Sequence, residues 1–143
     1  MSDVMFSVEA SSVSKTRIDV SAGAHVFSID EPERLGGTDT GPNPVEYTLG
    51  ALAGCLNVVG HMVAREMGFH IETMNIHLEG NLDPLVFMGK KQGVRAGFKE
   101  IRAHFDIKCS ASEETLRDWA KAIETRCPVS DNLSNPTPIE ITW

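Results

Sequence analysis

The stretch PVEYTLGALAGCLNVVGHMVAR (44–65) constrains this chain most. Val45, Leu49, Leu52, Leu56, Val59 and Val63 recur at alternating steps of four and three, the period of an amphipathic helix. Gly68 stands where a helix stop is expected. The same run holds Gly50, Ala51, Ala53, Gly54 and Gly60. A glycine inside a helix costs roughly 1 kcal/mol relative to alanine. Such a helix makes sense when another backbone packs close against its small-residue side, so it is expected to be central and surrounded.

The rest of the chain alternates in twos. Val4, Phe6 and Val8, then Ile18 and Val20, then His25, Phe27 and Ile29 predict a three-stranded antiparallel meander, with turns in the Ser-rich stretch at 11–14 and at Ala22-Gly23. DEPERLGGTDTGPNP (30–44), with three glycines and three prolines, predicts a loop. Residues 71–79 and 100–109 each set apolar against polar positions and read as strands with one wet face. Between them, 81–97 forms a long excursion carrying the apolar cluster Leu85–Met88, the kind of segment that serves as a lid or interface arm. Ser110-Ala-Ser-Glu113 has the form of a capping box. It opens a helix whose one face is Leu116, Trp119, Ala120, Ile123 and Cys127. Ile139, Ile141 and Trp143 alternate as a last strand. The order β-β-β-α-β-β-α-β predicts one α+β domain over 1–143, with two helices packed on largely antiparallel sheet.

Composition removes several function classes. A net charge of −7 argues against a nucleic-acid groove and against binding anionic membranes, both of which need clustered Lys and Arg. The opening MSDVMFSVEASS has no basic stretch followed by an apolar one, so no secretory signal is expected. No window approaches the eighteen or so apolar residues of a membrane span. Three widely spaced cysteines do not suggest a disulfide framework, which points to a reducing cytoplasm. Five histidines at 25, 61, 70, 77 and 104 show no metal-site spacing, and no phosphate-binding or dinucleotide glycine motif is present. Neither metal nor cofactor is expected.

Chemistry then rests on cysteine. Cys109 lies on the apolar face of a strand and reads as a small core hydrophobe. Cys55 and Cys127 admit two readings, a pair of core residues or a reactive pair. Small neighbours around Cys55 leave room beside its sulfur, where a packed core would carry larger side chains. Pro128 suits the first position of a new helical turn, which sets Cys127 at a helix N-terminus, a place that lowers a thiol pKa.

Three features resemble the OsmC family of osmotically inducible protein C and organic-hydroperoxide-resistance proteins. They are LGGTDTGPNPVEYTLGALAGCL (35–56), RCPVSDNL (126–133) and the order of elements over nearly the whole chain. The resemblance implies an OsmC-like fold in an intertwined homodimer, with the central helix at the subunit interface and two active sites there. It implies a peroxidatic Cys55, a resolving Cys127, an organic hydroperoxide as substrate and an external dithiol as reductant. Apolar residues near the site, Leu85–Met88 among them, would suit a fatty or aryl peroxide. In the family an Arg held by a Glu activates the first thiol. Here Val45 occupies the position of that Glu and Glu46 is displaced by one, about a quarter turn of helix. Glu46 either serves the partner's site or caps its own helix. For the Arg, Arg17 in the N-terminal strand region is the candidate, with Arg34 at the head of the Gly-rich loop as the other. A thiol-dependent peroxidase is the leading expectation. The alternatives are a non-enzymatic dimer binding a small apolar ligand in a pocket beside the cysteines, and a purely structural dimer.

Overall fold

In the computed structural model, which describes residues 2–143, the N-terminal alternation forms an antiparallel meander of β1 (Glu9–Ser12), β2 (Ile18–Ala22) and β3 (His25–Ile29). This meander belongs to the first of two compact units, one ending at Thr48 and one over Leu49–Trp143. The expected first strand at Val4, Phe6 and Val8 does not form. Glu9 pairs with Ser21, so beyond Val8, which would face Ala22 at the end of β2, residues 6 and 7 would need partners in the turn that joins β2 to β3. They are exposed instead, Phe6 by 91%. Gly23, at φ 60°, makes that turn.

The expected loop follows β3 and contains one short 3-10 turn, Glu33–Leu35. Its organiser is Asp30, whose side chain is fully buried. One carboxylate oxygen accepts from Thr38 N (3.0 Å), Thr38 Oγ1 (2.6 Å), Thr40 N (3.2 Å) and Thr40 Oγ1 (3.0 Å). The other accepts from Glu31 N at 2.8 Å, and Asp30 N donates to Pro42 O, bringing the two ends of the loop together. Two glycines allow the close fit. A Cβ on Gly37 would lie 1.7 Å from the Glu31 carbonyl oxygen, and one on Gly41 2.2 Å from that of Ser28. The hydrogen bond from Thr38 is the largest influence holding the Asp30 carboxyl far below its ordinary 3.8. A depressed folded-state value means this carboxylate stabilises the fold above about pH 4, its unfolded value, and loses that contribution as pH falls further. Asp30→Ala is expected to lower Tm by roughly 10 °C or more, because five donors lose a buried acceptor at once. Thermal unfolding followed by circular dichroism checks this.

Helix α1 (Pro44–Glu66) begins in the first unit and continues in the second. Asn43 and Glu46 form a reciprocal cap, Glu46 N donating to Asn43 Oδ1 and Asn43 N to Glu46 Oε2, both at 2.9 Å. Tyr47 stacks on Phe27, centroids 5.3 Å apart, and its hydroxyl donates to Ser28 O, so the first turn of α1 is tied to β3. The helix stops as expected: Phe69 N donates to Ala64 O and Gly68 N to Arg65 O, with Gly68 at φ 80°.

In the second unit the apolar stripe Leu52, Leu56, Val59 and Val63 is buried with Ile71, Trp119, Ile123 and Cys127. By length and composition α1 is apolar enough to cross a membrane, contrary to the reading from the sequence. Its stripe is nevertheless spent on this core. The expected close neighbour exists at Gly60, where a Cβ would lie 3.1 Å from Trp119 Cζ2 and where Trp119 Nε1 donates to the Gly60 carbonyl at 2.8 Å. Gly60→Ala is therefore expected to cost about 1–3 kcal/mol by overpacking, read from urea unfolding. At Gly50 and Gly54 the expectation is not met within the chain, since an added Cβ would meet open space at both.

Strands β4 (Ile71–Asn81) and β5 (Glu100–Cys109) pair antiparallel as an independent two-stranded sheet. Met74, Ile76 and Leu78 face the core together with Phe105 and Ile107. The other face carries Thr73, Asn75, His77 and Glu79 opposite Lys108, Asp106, His104 and Arg102. The excursion between the strands contains a helix that the pattern did not announce, α2 (Pro84–Phe87), set by Asp83, whose side chain accepts from Leu85 N, and by a proline in its first turn. The next helix, α3 (Glu113–Arg126), is capped by Ser112 accepting from Thr115 N, two residues beyond the expected box at Ser110. Then comes α4 (Pro128–Ser134). The last strand is absent: residues 135–143 pair with no strand among the described residues, and Ile139 and Ile141 are 84% and 83% exposed. Alternation makes a segment able to join a sheet; it does not supply the neighbour.

Candidate active site

Cys55 and Cys127 come together in the second unit. Cys55 sits on α1 between Leu52, Leu56 and Val59, half-buried against the core. Cys127 is placed by its backbone. Its N–H donates to Ile123 O and closes α3, while its carbonyl accepts from Asp131 N and opens α4. Pro128 disfavours helical geometry for the residue before it, and Cys127 adopts φ −82°, ψ 110° between the two helices. Its Sγ then acts as the cap of α4, accepting from Ser130 N at 3.4 Å. The helix start foreseen after Pro128 is thus present. Cys55 packs against the cluster that buries Cys127, close enough to act on its acidity, and both thiols are free.

The expected effect on acidity is reversed for Cys127. Burial, first, and the neighbouring Cys55 thiol, second, push its thiol up from 9.0, and the backbone N–H groups of Ser130 and Val129 only partly offset them. The side chain is 1% exposed, so the cost of desolvating a thiolate exceeds what one short helix terminus returns. Cys127 is a protonated thiol at neutral pH, which suits a group that acts second. Cys109, expected as a small core hydrophobe, pairs with Ile71 at one end of the sheet, is only half-buried and lies outside the core cluster.

The acid and the base of the family pattern are occupied within the first unit. Glu46 closes the Asn43 cap, which is one of the two roles foreseen for it, and Val45 is 38% exposed. Arg17 is held by Asp19, Nε to Oδ1 at 3.0 Å and Nη2 to Oδ2 at 3.2 Å, and reaches Ser28 Oγ at 3.4 Å. Ser28 in turn donates to Asp19 Oδ1 at 2.7 Å. The Asp19 hydrogen bond raises the Arg17 value and the Arg17 hydrogen bond lowers that of Asp19. Asp19 and Ser28 were missed in the sequence. The signal was there in outline: Arg17 and Asp19 lie two apart at the start of β2, but the cross-strand partnership of Asp19 with Ser28 is a matter of register. Arg34 is exposed on the 3-10 turn.

Leu85, Phe87 and Met88 are exposed and do not belong to the apolar layer around the thiols. An open depression of about 430 Å³ lies at the C-terminal end of α1, lined by His61, Arg65, Phe69 and His70 among others, and neither cysteine of the pair lines it. Among the described residues no three His, Cys, Asp or Glu side chains group as a metal site would require.

Comparison with known proteins places this arrangement. No curated protein matches the sequence. Among solved structures, the OsmC-like protein from Mycoplasma pneumoniae is similar at TM-score 0.80 and 19% identity, over 93% of this chain and 89% of that one. An organic hydroperoxide resistance protein OsmC from Legionella pneumophila is similar at TM-score 0.66 and 18% identity, over 93% and 91%. A protein from Psychrobacter arcticus, described as a putative osmotic stress induced and detoxification response protein, is similar at 0.72 and 14%, over 90% and 88%. At these identities the likeness establishes the fold, an OsmC-like α+β architecture. The profile of the family described as OsmC-like protein matches residues 37–142, a stretch that contains both thiols and the loop that leads into α1, and the chain belongs to that family.

Proposed function

We propose that the chain is a thiol-dependent peroxidase that reduces organic hydroperoxides in oxidative-stress defence, working as a homodimer. One observation carries the reading: two thiols from distant parts of the sequence, on α1 and at the α3–α4 junction, share one packed cluster, close enough for Cys55 to act on the acidity of Cys127. Relatives of the same fold include a protein described as an organic hydroperoxide resistance protein, which supports the choice of substrate class.

The chemistry follows in three steps. The Cys55 thiolate attacks the terminal oxygen of the hydroperoxide; the O–O bond breaks, and the departing alkoxide takes a proton to leave as the alcohol. Cys55 is then a sulfenic acid. Cys127, deprotonated as it reacts, attacks that sulfur, forming the disulfide and releasing water. An external dithiol reduces the disulfide by exchange. Two features support the homodimer: Gly50 and Gly54 leave one side of α1 open, and Val58 beside them is 64% exposed. A monomeric mass in solution at micromolar concentration would contradict it.

Treating the reduced protein with one equivalent of cumene hydroperoxide and counting free thiols by mass spectrometry tests the reading. Loss of two thiols supports it, and no change at stoichiometric peroxide overturns it. Because burial raises the Cys127 thiol, the rate of disulfide formation is expected to climb with pH through and beyond 9.0, the ordinary value from which that thiol is raised. Acid-quenched thiol counts over a pH series read this. A second reading has one observation in its favour. Glu46 is committed to the helix cap, which leaves it the structural role expected of a non-enzymatic dimer that binds a small apolar ligand.

A further inference from the structure

The excursion between β4 and β5 has a charge unlike that of the rest of the molecule. Residues 82–99 carry Lys90, Lys91, Arg95 and Lys99 against Asp83 alone, in a chain whose net charge is −7. Asp83 is taken by Lys91, whose Nζ lies 2.6 Å from Oδ2. Among the described residues, no carboxylate pairs with Lys90, Arg95 or Lys99. Beside these cations stand apolar side chains in water: Leu85 44%, Phe87 75%, Met88 47% and Val94 46% exposed. Bare cations next to exposed apolar side chains on one short segment match a surface that is anionic at its face and apolar just beneath.

We propose that residues 84–99 dock the protein onto anionic lipid bilayers, with Leu85, Phe87 and Met88 entering the headgroup boundary and Lys90, Arg95 and Lys99 contacting the lipid charges. Charge complementarity favours this occupant over a neutral surface. Lysine favours it over a protein, because protein interfaces are depleted in lysine whereas an anionic membrane attracts lysine and arginine alike. The net negative charge of the whole chain does not oppose it. Screening confines the lipid field to about 10 Å at 0.1 M salt, so the local charge decides. The docking is independent of the thiol chemistry.

Flotation of the full chain with vesicles is the test, comparing phosphatidylcholine alone with phosphatidylcholine mixed with phosphatidylglycerol. Partition into the mixed vesicles is expected, weakening as salt rises. Each lysine neutralised is expected to lower partition roughly fivefold, so Lys90→Gln with Lys99→Gln lowers it about 25-fold. Phe87→Ser lowers it as well, and circular dichroism verifies that these surface variants remain folded. Cys55→Ser is expected to partition like the parent, which separates this proposal from the peroxidase reading. Equal binding to neutral vesicles, no binding to either, or parent-like binding by the lysine variant overturns the proposal. So does conversion of a dimer to a monomer by Phe87→Ser, which would make the face a subunit interface.

Discussion

Cys55→Ser is expected to abolish turnover of cumene hydroperoxide, with a loss of at least about a thousandfold in kcat/KM. The hydroxyl is nearly isosteric with the thiol but is not ionised at neutral pH, so the nucleophile disappears while the packing stays. Urea unfolding should therefore differ from the parent by less than about 1 kcal/mol, since the site is only half-buried and shape is conserved. Cys127→Ser is expected to behave differently. It keeps the first step, yields a sulfenic acid that a dimedone-type trap captures by mass, and stalls after one equivalent because no disulfide can form. A Cys55→Ser protein that still consumes peroxide at the parent rate would sink the assignment.

The second large effect is structural. Trp119→Ala is expected to cost about 3–5 kcal/mol for the lost aromatic volume alone. The ring is 2% exposed and meets Phe105 edge-on at 5.0 Å and Phe69 at 6.4 Å. It also supplies the hydrogen bond to the Gly60 carbonyl, worth about 1 kcal/mol more. Domains of this size hold only about 5–15 kcal/mol in total, so the variant is expected to be at the edge of folding at room temperature. Trp119→Phe keeps most of the ring and loses the N–H donor, so it should fall well short of that loss. Equilibrium urea unfolding followed by far-UV circular dichroism ranks the three proteins. If Trp119→Ala and Trp119→Phe unfold at the same denaturant concentration, the packing account of Gly60 is wrong.

Much of the fold was legible. Period-two and period-3.6 patterns depend only on side-chain order, so β2, β3, β4, β5, α1 and α3 stand where the alternations put them. Gly68 marks the end of α1 because capping is local chemistry. The errors fall where a partner is needed. Val4–Val8 and Ile139–Trp143 alternate as strands do, yet a ladder requires a neighbour at the right register, and β2 ends at Ala22, before Phe6 could meet it. The cap of α3 moved from Ser110 to Ser112: only Ser110 has the Glu of the box three residues on, but a serine can cap without it, and the path of the chain after β5 starts the helix at Glu113. Helix α2, a single turn, is too short to show a period.

The candidate site divides in the same way. From the sequence alone came the residues with chemistry, Cys55 and Cys127, the helix start that Pro128 imposes, and the displacement of Glu46 from the family position. Tertiary structure decided three things that no spacing contains. It brought the two thiols into one packed cluster, because α3 packs Ile123 and Trp119 against the stripe of α1 that neighbours Cys55. It reversed the expected acidity of Cys127, because desolvation depends on what surrounds a group and outweighs a short helix terminus. And it gave Arg17 to Asp19 and Ser28, because strand register sets which side chains stand opposite one another. Local sequence fixes periodicity and caps, whereas contact, burial and register arise only when distant segments fold against each other.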